Sequence, residues 1–579
     1  MKSNFEQHNI MERMVHFYHI NPDKICGKIL DRHGKISDSI KIHEWVEESS
    51  KLAVILQSRG IKNGDRVLIS LPSSRDFLES MLALWWIGAI PVPVPELSGQ
   101  YKKKNYLDRI ANVVRDCQPT ACLVKAANQE ESFVAGEEYD DIFHPHFFWN
   151  LEEISKEKES LEKFRLDLYE VKKNDIAFMQ YTSGSTSKPK GVIVTHESLI
   201  ANLKAMQKAA PFDANLDKLL NWMPLYHDMG LVGGVLLNAY VGSQFYLLSP
   251  LSFLGNPSLW LKIICDHGIT ISTGPNFAYD LCARRVRPET MQGLDLRTWR
   301  LAYNGAEPIS IQTLERFTEK FSPYGFSDRA FFPVYGMAEL TLAASFPIPG
   351  QLLRVDYVDR GSLTKQLASK SEKLKENGVA FVSVGKALPG HTITIQSDTG
   401  KALPERQIGE VCVRGPSVFR GYYHENLVDS KKDQEELRTG DLGYMADGDL
   451  FIVDRLKDLV ILAGLNYSPT DMEQTIESFD FVRTGRSIAF SVWDQNKGTE
   501  GLILVVEVSS PVSGKTEEYP SQAEMTRTIQ NKIMDKFSVA TSDVVLCQPR
   551  SIPMTSSGKK QRSLCKSLYL EGAFISRKV

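Results

Sequence analysis

Two apolar runs enclose a polar loop at Gln180–Gly191, and this arrangement requires a scaffold with buried strands. The runs Ala177–Gln180 and Gly191–Thr195 predict strands that enter and leave the loop. Between them lie hydroxyl side chains, glycine and two lysines, Lys188 and Lys190. Backbone N–H groups and hydroxyls in such a loop can surround anionic oxygens. We therefore predict a polyphosphate-binding loop, with a mobile Gly/Ser surface loop as the alternative.

The loop does not follow the pattern of an ordinary P-loop ATPase, which needs G-x-x-x-x-G-K-[ST]. The nearest approach to that pattern ends at Gly514–Thr516, but Ser509 stands where it requires glycine. A P-loop ATPase is therefore disfavoured.

Apolar strands alternate with helical patterns through the first two thirds of the chain, which predicts a mostly parallel sheet covered on both faces. A helix is also expected after the last of these strands. The predicted strands and helices are Val67–Ser70, Asp76–Ala89 (helix), Thr120–Val124, Arg300–Tyr303, Ile311–Phe321 (helix) and Phe331–Tyr335.

The pattern changes after about Gly385, where alternating apolar and polar residues predict antiparallel hairpins with turns at Asp398–Gly400 and Asp447–Gly448. A smaller mixed set of strands and helices follows Arg455–Asp458. This set includes a helix at Ser468–Ser478, with Ser468 as its cap and proline at its first position. We predict domains at 1–456 and 457–579, with a β-rich subdomain at about 385–455.

Composition excludes several classes of protein. At 579 residues and a net charge of −3, the chain has several compact units and no general attraction for nucleic acid or anionic membranes. Eight scattered cysteines form neither a zinc pattern nor a disulfide framework. The N-terminal residues lack the apolar core of a signal peptide, and the apolar run Met81–Pro95 is short for a membrane span. A cytoplasmic protein without stable membrane insertion is expected.

Six segments in a fixed order resemble the adenylate-forming superfamily of acyl and aryl synthetases, adenylation domains and luciferases. Each segment alone is a weak signal, but together they extend over nearly the whole chain. They are Gln180–Gly191, Pro224–Gly230, Tyr303–Pro308, Tyr335–Glu339, Thr439–Asp441 and Pro553–Lys559.

The segments Pro224–Gly234, Gly274–Cys282 and Asn304–Pro308 are most similar to the fatty acyl-AMP ligase branch. The resemblance implies a large α/β domain with an antiparallel β-barrel-like subdomain and a small mobile α+β domain. It also implies activation of a fatty acid by ATP and Mg²⁺, then transfer to an acyl carrier protein or a polyketide or nonribosomal synthase carrier domain. An insertion that restrains the small domain is expected at roughly 352–378.

The resemblance assigns a set of residues to nucleotide binding. Asp441 would accept hydrogen bonds from the ribose hydroxyls, Arg455 would assist it, and Tyr335 would stack on adenine or ribose. The full set is Thr182, Ser183, Gly184, Ser185, Thr186, Asn304, Gly305, Ala306, Glu307, Tyr335, Gly336, Met337, Asp441 and Arg455. In isolation, Thr439–Asp441 would be merely a turn and Tyr335 a core residue.

Other side chains receive catalytic, metal, hinge or acyl roles from the same resemblance. Lys559 would bridge the carboxylate and α-phosphate, Lys190 would support it, and His227 would orient the substrate. The remaining assignments are Glu339 for Mg²⁺, Lys457 as hinge, and Met229, Phe277 and Tyr279 for the acyl tunnel. Core packing is an equal alternative for these last three.

Two departures from the family pattern stand out. Ser187 occupies a common glycine position, and Val453 and Asp454 precede Arg455 where many of these ligases have Thr-Gly. Neither removes a required charge. The alternatives left open are an acyl-CoA synthetase and a catalytically silent acyl-adenylate-binding or ATP-binding protein, with a scaffold protein more remote.

Overall fold

A computed structural model shows the mixed α/β architecture that the sequence predicts. It describes residues 8–97, 104–125, 139, 142–143, 147–159, 169–182, 189–371, 378–423, 436–462, 465–494, 499–509, 520–555 and 558–574. Two mainly parallel sheets form the core of the larger part of the chain, so the predicted fold class is confirmed.

Within the described residues, seven strands form the larger of these sheets, and every neighbouring pair is parallel except the last, an antiparallel edge. Parallel strands end at one edge, so the segments after them can converge there. In spatial order the strands are Phe331–Pro333, Leu301–Asn304, Ile271–Gly274, Lys218–Asn221, Gln244–Leu247, Ile25–Leu30 and Ile36–Lys41.

The second parallel sheet contains strands that are buried on both faces, which explains their continuous apolar sequence. Val67, Leu68 and Ile69 are all inaccessible to solvent. Its strands are Ile90–Pro93, Arg66–Ser70, Ala121–Val124 and Phe148–Asn150, in spatial order. Ser74 caps the following helix, whose residues 77–86 are buried throughout.

Helices cover these sheets and supply much of the core. A π-helix at Met229–Leu236 leads directly into one of them. The helices before residue 456 are Ile10–Ile20, Ile42–Ser58, Arg75–Trp86, Lys104–Cys117, Leu151–Glu159, His196–Ala209, Leu237–Val241, Pro250–Gly255, Ser258–His267, Asn276–Arg285, Ile311–Phe321 and Arg360–Leu363.

Antiparallel strands follow, as the alternating pattern predicts. Thr392–Gln396 and Gly409–Arg414 pair as the first hairpin, and Leu437–Ala446 pairs with Asp449–Arg455 as the second. Shorter antiparallel pieces are Ile176–Thr182 with Lys190–Thr195, Val355–Asp359 with Gly378–Val382, and Tyr335–Gly336, Ala343–Phe346 and Lys386–Ala387 in one sheet.

The helix expected after Tyr335 is wrong. A single 3₁₀ turn at Ala338–Leu340 leads instead into the strand Ala343–Phe346. That strand is buried along its length and pairs with Lys386–Ala387. Tertiary pairing therefore overrides the helix-forming composition of this segment.

After the 3₁₀ turn Leu456–Asp458, the chain forms a smaller α+β unit. Ser468 caps its first helix and proline occupies the first helical position, as predicted. Alternating residues of the strand Thr499–Val508 pack against helices on opposite faces. The elements are Val460–Leu462, Leu465–Tyr467, Pro469–Ile476 (helix), Val482–Asp494, Thr499–Val508, Gln522–Phe537 (helix), Thr541–Cys547 and Arg562–Leu570 (helix).

Side-chain contacts of Arg360 and Asp454 join this unit to the rest of the chain outside the site. Arg360 donates two hydrogen bonds of 2.8 Å to the carboxylate of Asp471, and its guanidinium lies 4.9 Å from the ring centre of Phe537. Arg360 belongs to the segment predicted to restrain the small domain. Asp454 accepts a 2.5 Å hydrogen bond from Ser468.

Candidate active site

Asp441 is the centre of a preformed polar cluster at the end of the antiparallel sheet. The hydroxyl of Tyr335 donates to Asp441 Oδ2 at 2.8 Å, and Arg455 Nε donates to Oδ1 at 3.0 Å. Asp441 and Tyr335 are both buried, and the charge of Asp441 raises the pKa of Arg455. A carboxylate has about four acceptor positions, so Asp441 retains lone pairs for two further donors.

The turn after the strand Leu301–Asn304 brings its backbone close to Val334, the residue before Tyr335. A Cβ on Gly305 would lie 2.7 Å from the side chain of Val334, so only glycine allows this approach. Ala306 adopts a left-handed φ of 70°, an uncommon conformation that often occurs at functional sites. The predicted adenine-binding residues therefore form a tight, specifically shaped turn.

Glu307 ends the same turn and connects it to a helix that comes earlier in the chain. Its Oε1 accepts a 2.5 Å hydrogen bond from the backbone N–H of Phe277, in the first turn of the helix Asn276–Arg285. Burial raises the pKa of Glu307 to about 7, although Lys560 and Lys559 oppose this shift. Glu307 therefore supports the helix start as well as the turn.

Lys559 reaches this region from the small domain. Its backbone N–H donates to Thr555 Oγ1 at 2.9 Å, and Gly558 beside it has a left-handed φ of 84°. A Cβ on Gly558 would lie 2.8 Å from the ring of Phe277, so the turn packs directly on that ring. Burial lowers the pKa of the Lys559 ammonium, while Asp228 opposes this shift.

Asp228 is a site residue that the sequence reasoning missed. Its Oδ1 lies 2.7 Å from His227 Nδ1 and accepts a 2.7 Å hydrogen bond from the N–H of Met229, which begins the π-helix. Burial opposes ionisation of Asp228, but His227 and Lys559 outweigh it and lower its pKa. Its position next to His227 in the Pro224–Gly230 segment was the available signal.

Gln180 holds this segment from the strand that precedes the polar loop. Its side-chain amide donates a hydrogen bond to the carbonyl of Tyr226. The loop and the His227 segment are therefore coupled at their base.

Tyr422 is the second residue that was missed. Its hydroxyl donates a 2.8 Å hydrogen bond to Glu339 Oε1, and Lys190 Nζ lies 4.3 Å from its ring centre. Tyr422 also forms a bridge to Val192 in the strand that follows the polar loop. It connects the predicted metal ligand to the predicted phosphate-loop lysine, and no local pattern marks it.

The remaining predicted residues divide into three groups. Ser183, Gly184, Ser185 and Thr186 lie outside the described residues, whereas Thr182 ends the strand that leads to them. Asn304 is buried at the end of its strand, and Gly336 and Met337 follow Tyr335. Lys457 is exposed in the 3₁₀ turn before the smaller α+β unit, where partial desolvation and the charge of Arg455 lower its pKa.

The three proposed acyl-tunnel residues differ in their surroundings. Phe277 is half-buried, with its ring 6.1 Å from that of Trp222. Met229 is buried in the main core. Tyr279 is inaccessible among the rings of Trp260 and Phe317, and its hydroxyl donates to Tyr303 O at 2.7 Å. These contacts favour core packing for Tyr279.

The chain matches two family models along most of its length. Residues 36–423 match the AMP-binding enzyme family. Residues 457–578 match the AMP domain of the Disco-interacting protein 2-like family.

Two relatives are similar to this chain over most of the length of both proteins. A medium-chain fatty acid–acyl carrier protein ligase of Moorena producens is 33% identical, covering 96% of this chain and 94% of its own. A long-chain fatty acid–AMP ligase of Mycobacterium marinum is also 33% identical, covering 88% of each chain.

A solved structure from a study of fatty acyl-adenylate ligases of E. coli and L. pneumophila has a TM-score of 0.86. It is 31% identical and covers 98% of each chain. Among the described residues, no helix has the length and apolar character needed to cross a membrane.

Proposed function

The chain belongs to the AMP-binding enzymes and to their fatty acyl-AMP ligase branch, and from this membership we propose the full reaction and its residues. In the first half-reaction, a fatty carboxylate oxygen attacks the α-phosphorus of ATP. The bond from the α-phosphorus to the oxygen bridging it to the β-phosphorus breaks, and pyrophosphate leaves. In the second, the phosphopantetheine thiol of an acyl carrier protein attacks the acyl carbon and releases AMP.

The observation that carries this proposal is the convergence of Lys559 with Asp228 and Asp441. These residues come from three separate segments, yet the turn that carries Lys559 packs on Phe277 through Gly558, and burial lowers the pKa of Lys559 while the charges of Asp228 and Asp441 oppose this shift. A half-buried cation that packs next to the ring of Phe277 and lies within the field of two carboxylates is suited to joining an acyl carboxylate to a phosphate. Reactions of this kind depend on positioning and on charge at the reacting atoms.

The large domain's residues would orient the nucleotide. Asp441, held by Tyr335 and Arg455, would accept hydrogen bonds from the ribose hydroxyls. The turn at Asn304–Glu307 would contact adenine. Thr182, Lys190 and the polar loop would bind the phosphates.

The carboxylate at Glu339 fits Mg²⁺ as a cofactor. The described residues contain no group of three or more side chains suited to hold a metal, and Mg²⁺ typically takes one or two carboxylates together with phosphate oxygens and water. Mg²⁺ would neutralise phosphate charge when bound. Tyr422 fixes the Glu339 carboxylate through its 2.8 Å hydrogen bond.

The remaining roles concern substrate and domain movement. His227, held by Asp228, would orient the acyl carboxylate, and Phe277 and Met229 would contact the acyl chain. Residues 1–456 and 457–579 would act as two domains, with Lys457 at the hinge between them. The acceptor is proposed from the carrier-protein ligase among the relatives, and we expect the reaction to occur in the cytoplasm.

Mass spectrometry tests the proposal directly. The protein is incubated with ATP, Mg²⁺ and a mixture of fatty acids, with and without coenzyme A, and then with a carrier protein bearing phosphopantetheine. Acyl-AMP and acylated carrier protein are expected. Rapid formation of acyl-coenzyme A would replace the carrier-protein assignment with an acyl-CoA synthetase, and absence of pyrophosphate release would refute the activity.

A further inference from the structure

Asp454 makes an inter-domain contact at the position where the sequence departs from the family pattern. It occupies the last strand of the antiparallel sheet and is 8% exposed. Its Oδ2 accepts hydrogen bonds from Ser468 Oγ at 2.5 Å and from the N–H of Thr470 at 3.3 Å. Both donors belong to the small domain.

The contact lies at the start of a small-domain helix. Ser468 caps the helix Pro469–Ile476 by accepting a hydrogen bond from the N–H of Asp471. Asp454 adds a second, negatively charged acceptor at the same helix N-terminus, where a carboxylate interacts favourably with the unpaired N–H groups and the helix dipole. The helix is therefore held from the large domain.

These bonds cross the turn between the domains. Asp454 precedes the 3₁₀ turn Leu456–Asp458, and Ser468 follows it. A rotation of the small domain about the proposed hinge at Lys457 that carries Ser468 away from Asp454 breaks these bonds. The bonds are thus made only when the small domain has an orientation close to the one described.

That orientation also determines where Lys559 lies. The turn that carries Lys559 packs on Phe277 through Gly558, at the proposed acyl site. An incoming thiol needs access to the acyl carbon, so this turn must leave before the second half-reaction. The bonds at Asp454 oppose that departure.

We propose that Asp454, through Ser468 and Thr470, is a positioning residue that keeps Lys559 in place for adenylation and must lose these bonds before acyl transfer. This inference rests on the proposed function. It predicts opposite effects on the two half-reactions, whereas loss of small-domain stability would lower both.

The test uses the full chain and compares Ser468→Ala with Ser521→Ala. Ser521 caps the helix Gln522–Phe537 of the same domain through an equivalent hydrogen bond, from the N–H of Glu524. The two variants therefore lose similar caps, but only Ser468→Ala removes a bond to Asp454. Adenylation is measured by pyrophosphate exchange, and transfer by the reaction of preformed acyl-AMP with phosphopantetheine.

Ser468→Ala should slow pyrophosphate exchange by about three- to tenfold while transfer stays equal or rises, because a hydrogen bond to a carboxylate is lost. Ser521→Ala should leave the ratio of the two rates unchanged. Asp454→Asn, which keeps an acceptor, should retain more exchange activity than Asp454→Ala. Equal losses in both half-reactions, or an unchanged rate ratio in Ser468→Ala, would overturn the inference.

A substrate-free measurement separates this inference from the proposed function. Small-angle X-ray scattering of the ligand-free protein should show a larger maximum dimension for Ser468→Ala than for Ser521→Ala. Identical scattering of the two variants would overturn the role of Asp454. Failure of the wild-type protein to form acyl-AMP would refute the proposed function, and the scattering comparison would still test the inter-domain contact.

Discussion

The large-domain and small-domain sides of the candidate site are built differently. On the large-domain side, Tyr335, Asp441 and Arg455 are joined by direct hydrogen bonds within one compact cluster. On the small-domain side, Lys559 meets the site through charge and through the packing of Gly558 on Phe277. The geometry proposed to bind nucleotide is therefore fixed within the part of the chain before residue 456, whereas the position of the proposed catalytic cation depends on how the smaller α+β unit meets it.

The largest effect is expected from substitution of Lys559, which should slow adenylation far more than it weakens ATP binding. Lys559→Ala should reduce adenylation by about 10²- to 10³-fold, because it removes charge stabilisation at the reacting atoms. The affinity for ATP should stay within about twofold, because the large-domain cluster is untouched. Pyrophosphate release and calorimetric ATP binding measure the two quantities.

Lys566→Ala, on the helix that follows, is the matched control and should change neither. A parallel loss of ATP affinity in Lys559→Ala would mean that the small domain also forms the nucleotide site.

Asp441→Ala should chiefly weaken ATP binding, whereas Lys559→Ala should chiefly slow adenylation. ATP affinity should fall by roughly 10- to 100-fold, because hydrogen bonds to a charged acceptor are lost and Arg455 loses its partner. Asp398→Ala, at an exposed turn of the same sheet, controls for general effects. Unchanged calorimetric affinity in Asp441→Ala would remove this residue from the nucleotide site.

Lys559 should also make adenylation dependent on pH. Burial lowers the pKa of Lys559 below its ordinary 10.5, so the cation is present below the lowered pKa and lost as pH rises through it. Adenylation should then decline by about tenfold per pH unit on an alkaline limb that begins below pH 10.5.

Lys559→Arg should move this limb to higher pH, since arginine keeps its charge. An identical limb in both proteins, measured by stopped-time pyrophosphate assays, would assign it to another group.

The smallest effects are expected from substitutions at Phe277 and Tyr279 in the proposed acyl region. Phe277→Ala should raise the KM for a fatty acid by roughly three- to tenfold through lost apolar contact. Tyr279→Phe should leave that KM unchanged but lower the free energy of unfolding by about 1 kcal/mol, because the hydrogen bond to Tyr303 is lost. A changed chain-length preference in Tyr279→Phe would place Tyr279 in the tunnel after all.

Sequence reasoning performed best where chemistry demands particular side chains. Asp441, Tyr335 and Lys559 stand in short motifs, and the structure brings them into one electrostatic environment. The two hairpins and the helix capped by Ser468 were predicted because turn and cap residues act locally. Their roles toward ligands stay predictions.

Long-range partners could not be predicted in the same way. Tyr422 contacts Glu339, and Ser468 contacts Asp454, through pairings that depend on the completed fold. A helix was expected after Tyr335, where the chain instead forms the strand Ala343–Phe346, and one of this strand's two partners, Lys386–Ala387, is distant in sequence. Tertiary contacts decide such cases.

Arg360 and Asp471 join the domains through residues that have no assigned role toward nucleotide or acyl chain. Substitutions there are expected to alter how long the smaller unit keeps the described arrangement while leaving the proposed ligand contacts intact. During evolution, turnover and selectivity could therefore diverge independently in this scaffold, and protein engineers could adjust one without redesigning the other.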